Sequence, residues 1–92
     1  MNEGVVKMYK LFIEKLNKEL SKKGIAAKHY KITETVECIE YQNGSKVAKL
    51  VIDTNWYEVL VKKENYLLFY NCESSIEVAK DQFVCLCLVM AN

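Results

Sequence analysis

The sequence contains no arginine and no proline, and it has a single histidine. Its thirteen basic residues are all lysine. Guanidinium groups make most of the bidentate contacts by which proteins read guanine or grip phosphate, whereas a lysine supplies only a point charge. The composition therefore disfavours a sequence-specific reader of nucleic acid.

The residue patterns of common active sites and metal sites are also missing. The three glycines are isolated from one another, so no glycine-rich loop can cradle a phosphate. The spacing of Cys85 and Cys87 is too short for a structural zinc pair, and His29 lies far away along the chain. We therefore predict no catalytic residue, no metal site and no cofactor, and we expect that the protein is not an enzyme.

The chain also lacks the pattern of a secretory signal, because its first residues read as a charged amphipathic helix. The four cysteines are then expected to be reduced thiols in the cytoplasm. The longest apolar run, Phe83–Met90, is eight residues, whereas a membrane helix needs about 20. We predict a single domain over residues 1–92 that has no contact with a membrane.

The elements that the sequence does indicate begin with a helix over residues 3–23. Its apolar residues recur at three- and four-residue steps, and Gly24 follows where a left-handed cap is expected. This apolar stripe consists of Val5, Met8, Tyr9, Phe12, Leu16 and Leu20.

Strand-favouring residues follow from residue 30, interrupted by turn signals. Asn43-Gly44 predicts a two-residue hairpin turn, which would place Glu37 on the apolar side unless a bulge occurs near Cys38-Ile39. Turns at 53–55 and at Glu64-Asn65 bound two more strands, and Ser74 or Ser75 can cap a last helix. We predict an α+β fold with an N-terminal helix, an antiparallel meander of three to four strands and a C-terminal apolar helix. A buried edge strand is the alternative for 83–90.

The third and fourth predicted strands are apolar on both sides, which is unusual for a sheet with one solvated face. A two-residue turn at Glu64-Asn65 places one set of side chains on one side and a second set on the other. The first set is Tyr57, Val59, Val61, Leu68 and Tyr70, and the second is Trp56, Leu60, Leu67 and Phe69. Either the two helices cover one side each, or they share a side and leave the second set exposed. An exposed set of this size would mark an association site.

Five lysines of the first helix lie on one side of the helical wheel and could contact phosphates. They are Lys7, Lys10, Lys15, Lys18 and Lys22. Helix, meander, helix is also the element order of the double-stranded RNA-binding domain, which this chain resembles in that order, and the resemblance implies shape-based binding of duplex. The last helix of that family begins with clustered lysines, whereas "SSIEVAKDQF" here has net charge −1. The alternative is a solvated helix face neutralised by its own glutamates.

These features together favour binding without catalysis, through Trp56, Leu60, Leu67 and Phe69 or through the C-terminal apolar run. In size, lack of catalytic groups and lysine-only composition, the chain resembles the small inhibitors that phages and mobile elements encode against host defence, anti-CRISPR proteins among them. That resemblance implies a host protein as the partner. Two alternatives are a duplex binder that uses the lysine face, which is less favoured, and a homodimer of structural role.

Overall fold

The computed structural model describes the backbone of residues 3–92 and the side chains of residues 9–92. The elements are α1 (Glu3–Lys22), β1 (Lys28–Lys31), β2 (Glu37–Asn43), β3 (Lys46–Ile52), β4 (Tyr57–Lys63), β5 (Tyr66–Glu73) and α2 (Ile76–Ala91). The predicted α+β order is confirmed. The sheet has five strands among the described residues, one or two more than predicted, because the segment 30–42 is divided by a turn at 32–36.

α1 ends as the sequence predicts, at a glycine in the left-handed conformation. Gly24 has φ +77°, its N–H donates to the carbonyl of Ser21, and the N–H of Ile25 donates to the carbonyl of Leu20. These two bonds form a Schellman cap, and Leu20 and Ile25 are both buried beside it. The cap turns the chain directly from the helix into the first strand.

The five strands form one antiparallel sheet in the order β1-β2-β3-β4-β5, in which each strand is bonded to its neighbours in sequence. The β2–β3 turn lies one residue later than predicted, at Gly44-Ser45, with Asn43 paired to Lys46. Gly44 has φ +63° and takes the left-handed position that such hairpin turns require. Because the register moves by two residues, each side chain keeps the side of the sheet that was predicted for it.

The bulge predicted near Cys38-Ile39 does not occur, because β2 pairs regularly with β3 from Glu37 onward. Glu37 does lie on the apolar side, as predicted. It is placed at the margin of the sheet, where its carboxylate contacts the imidazole of His29. The contact with His29 at the margin of the sheet, and not a bulge, therefore accommodates the Glu37 carboxylate.

α2 includes residues 83–90, so the helix is confirmed over the edge strand. Ser75 is its N-cap, and the Ser75 hydroxyl accepts a hydrogen bond from the N–H of Val78 at 3.3 Å. At the other end, the side chain of Asn43 donates to the carbonyl of Met90 at 2.7 Å. A side chain from the β2–β3 hairpin thus satisfies a carbonyl of the last helical turn.

Both helices pack on the same side of the sheet. The residues buried there come from α1 and its cap, from the three central strands and from α2: Ile13, Leu16, Leu20, Ile25, Ile39, Ala48, Leu50, Ile52, Val59, Val61, Ala79, Phe83, Val84 and Cys87. The hydroxyl of Tyr9 in α1 also lies 3.4 Å from that of Tyr57, whose strand partner is the buried Ile52. The arrangement is two layers, helices on sheet, and no helix of the described part of the chain covers the other side of the sheet.

Candidate binding surface on the open side of the sheet

We call the side of the sheet away from the helices the open face. Residues that pair across neighbouring strands point to the same side, so the register shows which residues lie there. One row across β4 and β5 pairs Leu60 with Tyr70, and the next pairs Lys62 with Leu67. Trp56 precedes β4 and sends its indole to the same side. Three of the four residues predicted to form the association site are therefore brought together here: Trp56, Leu60 and Leu67.

The fourth predicted residue, Phe69, lies on the other side of the sheet, so its predicted position is wrong. β5 carries a bulge, because Lys62 pairs with Leu67 whereas Val61 pairs with Phe69, which leaves Leu68 as the extra residue. Phe69 therefore joins Val61 on the helix side, where it is at the margin and 37 % exposed. An inserted residue reverses the sides of everything beyond it, and the period of the sequence alone cannot reveal this.

Tyr70 takes the place that the sequence prediction gave to Phe69. It is 51 % exposed on the open face, similar to Trp56 at 50 % and Leu67 at 55 %. Leu60 lies between them and is half-buried. We call these four side chains, Trp56, Leu60, Leu67 and Tyr70, the apolar patch.

One carboxylate lies beside both aromatic residues of the apolar patch. Glu58 Oε2 accepts a hydrogen bond from the indole N–H of Trp56 at 3.1 Å. Desolvation and the nearby Glu58 both raise the pKa of the Tyr70 hydroxyl. Glu58 is therefore a polar anchor for the Trp56 ring and a close neighbour of the Tyr70 hydroxyl. Sequence reasoning overlooked it, although a glutamate two residues after a tryptophan on one strand lies on the same side and within reach.

The other half of the open face, over β1, β2 and β3, is more polar, although Val47 and Val51 of β3 also lie there. The hydroxyl of Tyr30 donates to Glu40 at 2.9 Å, and the ammonium group of Lys49 lies 3.7 Å from the same carboxylate. Cys38 is fully buried beside Tyr30, and burial raises the pKa of its thiol despite the opposing effects of Tyr30 and Lys49. A thiol that holds its proton in this way is a poor nucleophile.

The lysine face of α1 lies on the opposite side of the molecule from the apolar patch. Lys15, Lys18 and Lys22 are exposed and line a groove of about 430 Å³ between α1 and the start of α2. The groove also contains Lys80, which lies within 4 Å of three carboxylates, those of Glu19, Glu77 and Asp81. Of the two other lysines predicted for this surface, Lys10 is exposed, and the side chain of Lys7 lies outside the described residues.

Two further observations concern metal binding and membrane-spanning helices. Among the residues that the structure describes, no three histidine, cysteine or acidic side chains lie close enough together to hold a metal ion. No helix in the described part of the chain is long and apolar enough to cross a bilayer.

Comparison with known proteins gave no match to any family model, curated protein or solved structure.

Proposed function

We propose that this protein acts without catalysis, by binding a protein partner through the apolar patch on its open face. The observation that carries this proposal is the side on which the helices pack. Both of them cover one face, and three of the patch's four large side chains are half or more exposed on the other. Exposed apolar surface that is contiguous and rimmed by polar groups is typical of protein interaction sites.

The composition of the patch supports a protein partner. Tryptophan and tyrosine are the side chains most enriched among residues that dominate binding energy. Here Glu58 already fixes the indole of Trp56, so less conformational freedom would be lost on binding. Lys62 and Lys49 flank Leu60 and supply a charged rim. This arrangement of an apolar centre with a polar border is the usual anatomy of a protein interface.

The class of function that we favour is inhibition. A small protein that binds tightly through one preformed surface can act by occupying a site on its partner. The partner would be a host protein, and the source a phage or mobile element, as the resemblance to small anti-defence inhibitors such as anti-CRISPR proteins implies.

The test begins with affinity capture from a bacterial lysate, followed by titration of the purified candidate partner. We expect Leu60→Glu and the double change Trp56→Ala and Tyr70→Ala to weaken the complex by at least ~30-fold, since residues of this kind cost about 2 kcal/mol or more when they dominate an interface. The matched control is Leu11→Glu, which changes an apolar residue of α1 that is 54 % exposed. Equal affinity of all these variants for the partner would refute the proposal.

One observation favours a second candidate, the binding of double-stranded nucleic acid. Lys15, Lys18 and Lys22 are all exposed along one groove. Affinity for duplex should then fall steeply with salt, and charge reversal at the three lysines should abolish it. The carboxylates around Lys80 oppose this candidate, because they would repel phosphates at the same groove. Duplex affinity that charge reversal leaves unchanged would remove this candidate.

A further inference from the structure

The two edges of the sheet differ in how they are protected. β1 is four residues long, has a lysine at each end, and its His29 contacts Glu37. β5 is twice as long, with eight residues, and it carries no charged residue before Glu73. Natural proteins blunt their sheet edges with short strands, lysine and proline. By this standard β1 is a protected edge and β5 is an open one.

The outer side of β5 has no strand partner among residues 3–92, because β5 is the last strand of the sheet and pairs with β4. Five consecutive residues of this strand, 66–70, are large and apolar, and their exposed fractions range from 37 % for Phe69 to 71 % for Tyr66. The bulge at Leu68 is the one protective device in the strand, and beyond it the register is regular from Phe69 to Glu73. A strand from another chain would satisfy both the backbone groups and the apolar side chains of this edge.

We propose that this strand is supplied by a second copy of the same chain, with the two β5 strands antiparallel across a two-fold axis. Uncharged edges are self-complementary, whereas β1 would bring Lys28 and Lys31 against apolar side chains of β5. Pairing of β5 with β5 also uses the same edge on both copies, so the assembly closes as a dimer and does not continue into a filament. This inference stands without the proposed function.

The exposed side chains of this edge offer more than half of the area that a stable dimer interface buries in each copy. At 150–250 Å² for a large aromatic side chain, the exposed parts of residues 66–70 amount to on the order of 500 Å² in each copy. A stable interface buries about 800 Å² per partner. The outward backbone of β5 and the neighbouring margin of the open face can supply the remainder.

Dimerisation would also reorganise the open face. The sheet would have ten strands, five from each copy, with the two β4–β5 halves at its centre. The two apolar patches would then lie side by side across the axis. The polar halves, with Glu40 and Lys49, would lie towards the outside.

The test compares Leu68→Lys with Ile32→Lys by analytical ultracentrifugation over a range of concentrations. Leu68 and Ile32 are each 54 % exposed, but Leu68 is on β5 and Ile32 follows β1. We expect the wild type and Ile32→Lys to be dimers. Leu68→Lys should raise the dimer dissociation constant by about 100-fold or more, since each dimer would enclose two unpaired charges.

Amide hydrogen exchange of the unchanged protein gives a second readout that does not depend on any variant. Alternate N–H groups of β5 should become protected as the concentration rises through the dimerisation range, while those of β1 should not. A wild type that stays monomeric at several hundred micromolar would overturn the proposal. A dimer that Leu68→Lys leaves intact would also overturn it. If Leu60→Glu then dissociated that dimer, the open face would be identified as the contact. Partner capture is scored separately, so a monomer that still captures its partner refutes the dimer alone.

Discussion

The two sides of the central strands differ more than their sequences suggest. Ile39, Leu50 and Val59 form a row across β2, β3 and β4 and are completely buried under the helices. The adjacent row, on the open face, runs from Glu40 and Lys49 to Leu60 and Tyr70. β2 alternates between apolar and polar from Ile39 to Gln42, whereas β4 and β5 carry large apolar side chains on both sides. One side of the sheet thus forms the core of the fold, and half of the other side leaves large apolar side chains exposed.

The largest expected effect is on the free energy of unfolding, when one leucine on the helix side of the sheet and one on the open face are each truncated. Leu50→Ala should lower the free energy of unfolding by about 2–5 kcal/mol, because it opens a cavity in the core. Leu67→Ala should lower it by less than about 1 kcal/mol, because Leu67 is already 55 % exposed. Urea unfolding followed by circular dichroism measures both. If the two costs were equal, Leu67 would be part of a core that the present face assignment does not contain.

The same comparison explains what sequence could and could not predict. The covered side was predictable because its signals are local: the helical period of α1, the cap at Gly24 and the alternation through Leu50 and Ile52. The start of α2 was predictable to within one residue, although Ser75 is the cap and Val78 stands where a capping box would need an acidic residue. Each of these features depends on residues that are close to one another in the sequence.

The open face was less predictable because its composition depends on register. The position of one inserted residue, Leu68, decides whether Phe69 or Tyr70 joins Leu60. No glycine or other turn residue signals that bulge. The placement of both helices on one side was likewise undecided, because it follows from tertiary packing between α1, α2 and the sheet. The register places three of the four predicted side chains, Trp56, Leu60 and Leu67, on the same side of the sheet, whereas the neighbouring Glu58 was not predicted.

The thiols provide a second and smaller contrast between the sides. Burial raises the pKa of Cys87, on the helix side, to about 12. Since an unfolded cysteine titrates near pH ~8.5, the folded state holds the proton more tightly, and stability should fall as pH rises from about 9 to about 12. One such thiol contributes a slope of at most ~1.4 kcal/mol per pH unit. Urea midpoints measured across this range should show a shallower fall for Cys87→Ala.

The control for this experiment is Cys72→Ser, because Cys72 is exposed at the edge of the open face. It should leave the alkaline slope unchanged. Tyr9 also has a pKa raised to about 12, by its hydrogen bond to Tyr57 and by burial, so Cys87→Ala should reduce the slope without removing it. A wild type whose stability is constant from pH 9 to 11 would contradict the burial of Cys87.

The smallest expected effect tests whether the polar half of the open face contributes to the fold. Glu40 and Lys49 are 18 % and 30 % exposed and lie 3.7 Å apart, a geometry for which coupling energies are usually below about 1 kcal/mol. A double-mutant cycle with Glu40→Gln and Lys49→Ala measures that coupling, and salt should weaken it. Glutamine keeps an acceptor for the Tyr30 hydroxyl, so the cycle isolates the charge pair. A coupling of more than about 2 kcal/mol would show that this half is held by a desolvated ion pair. In that case both halves of the open face, and not only the apolar patch, would be organised before any partner arrives.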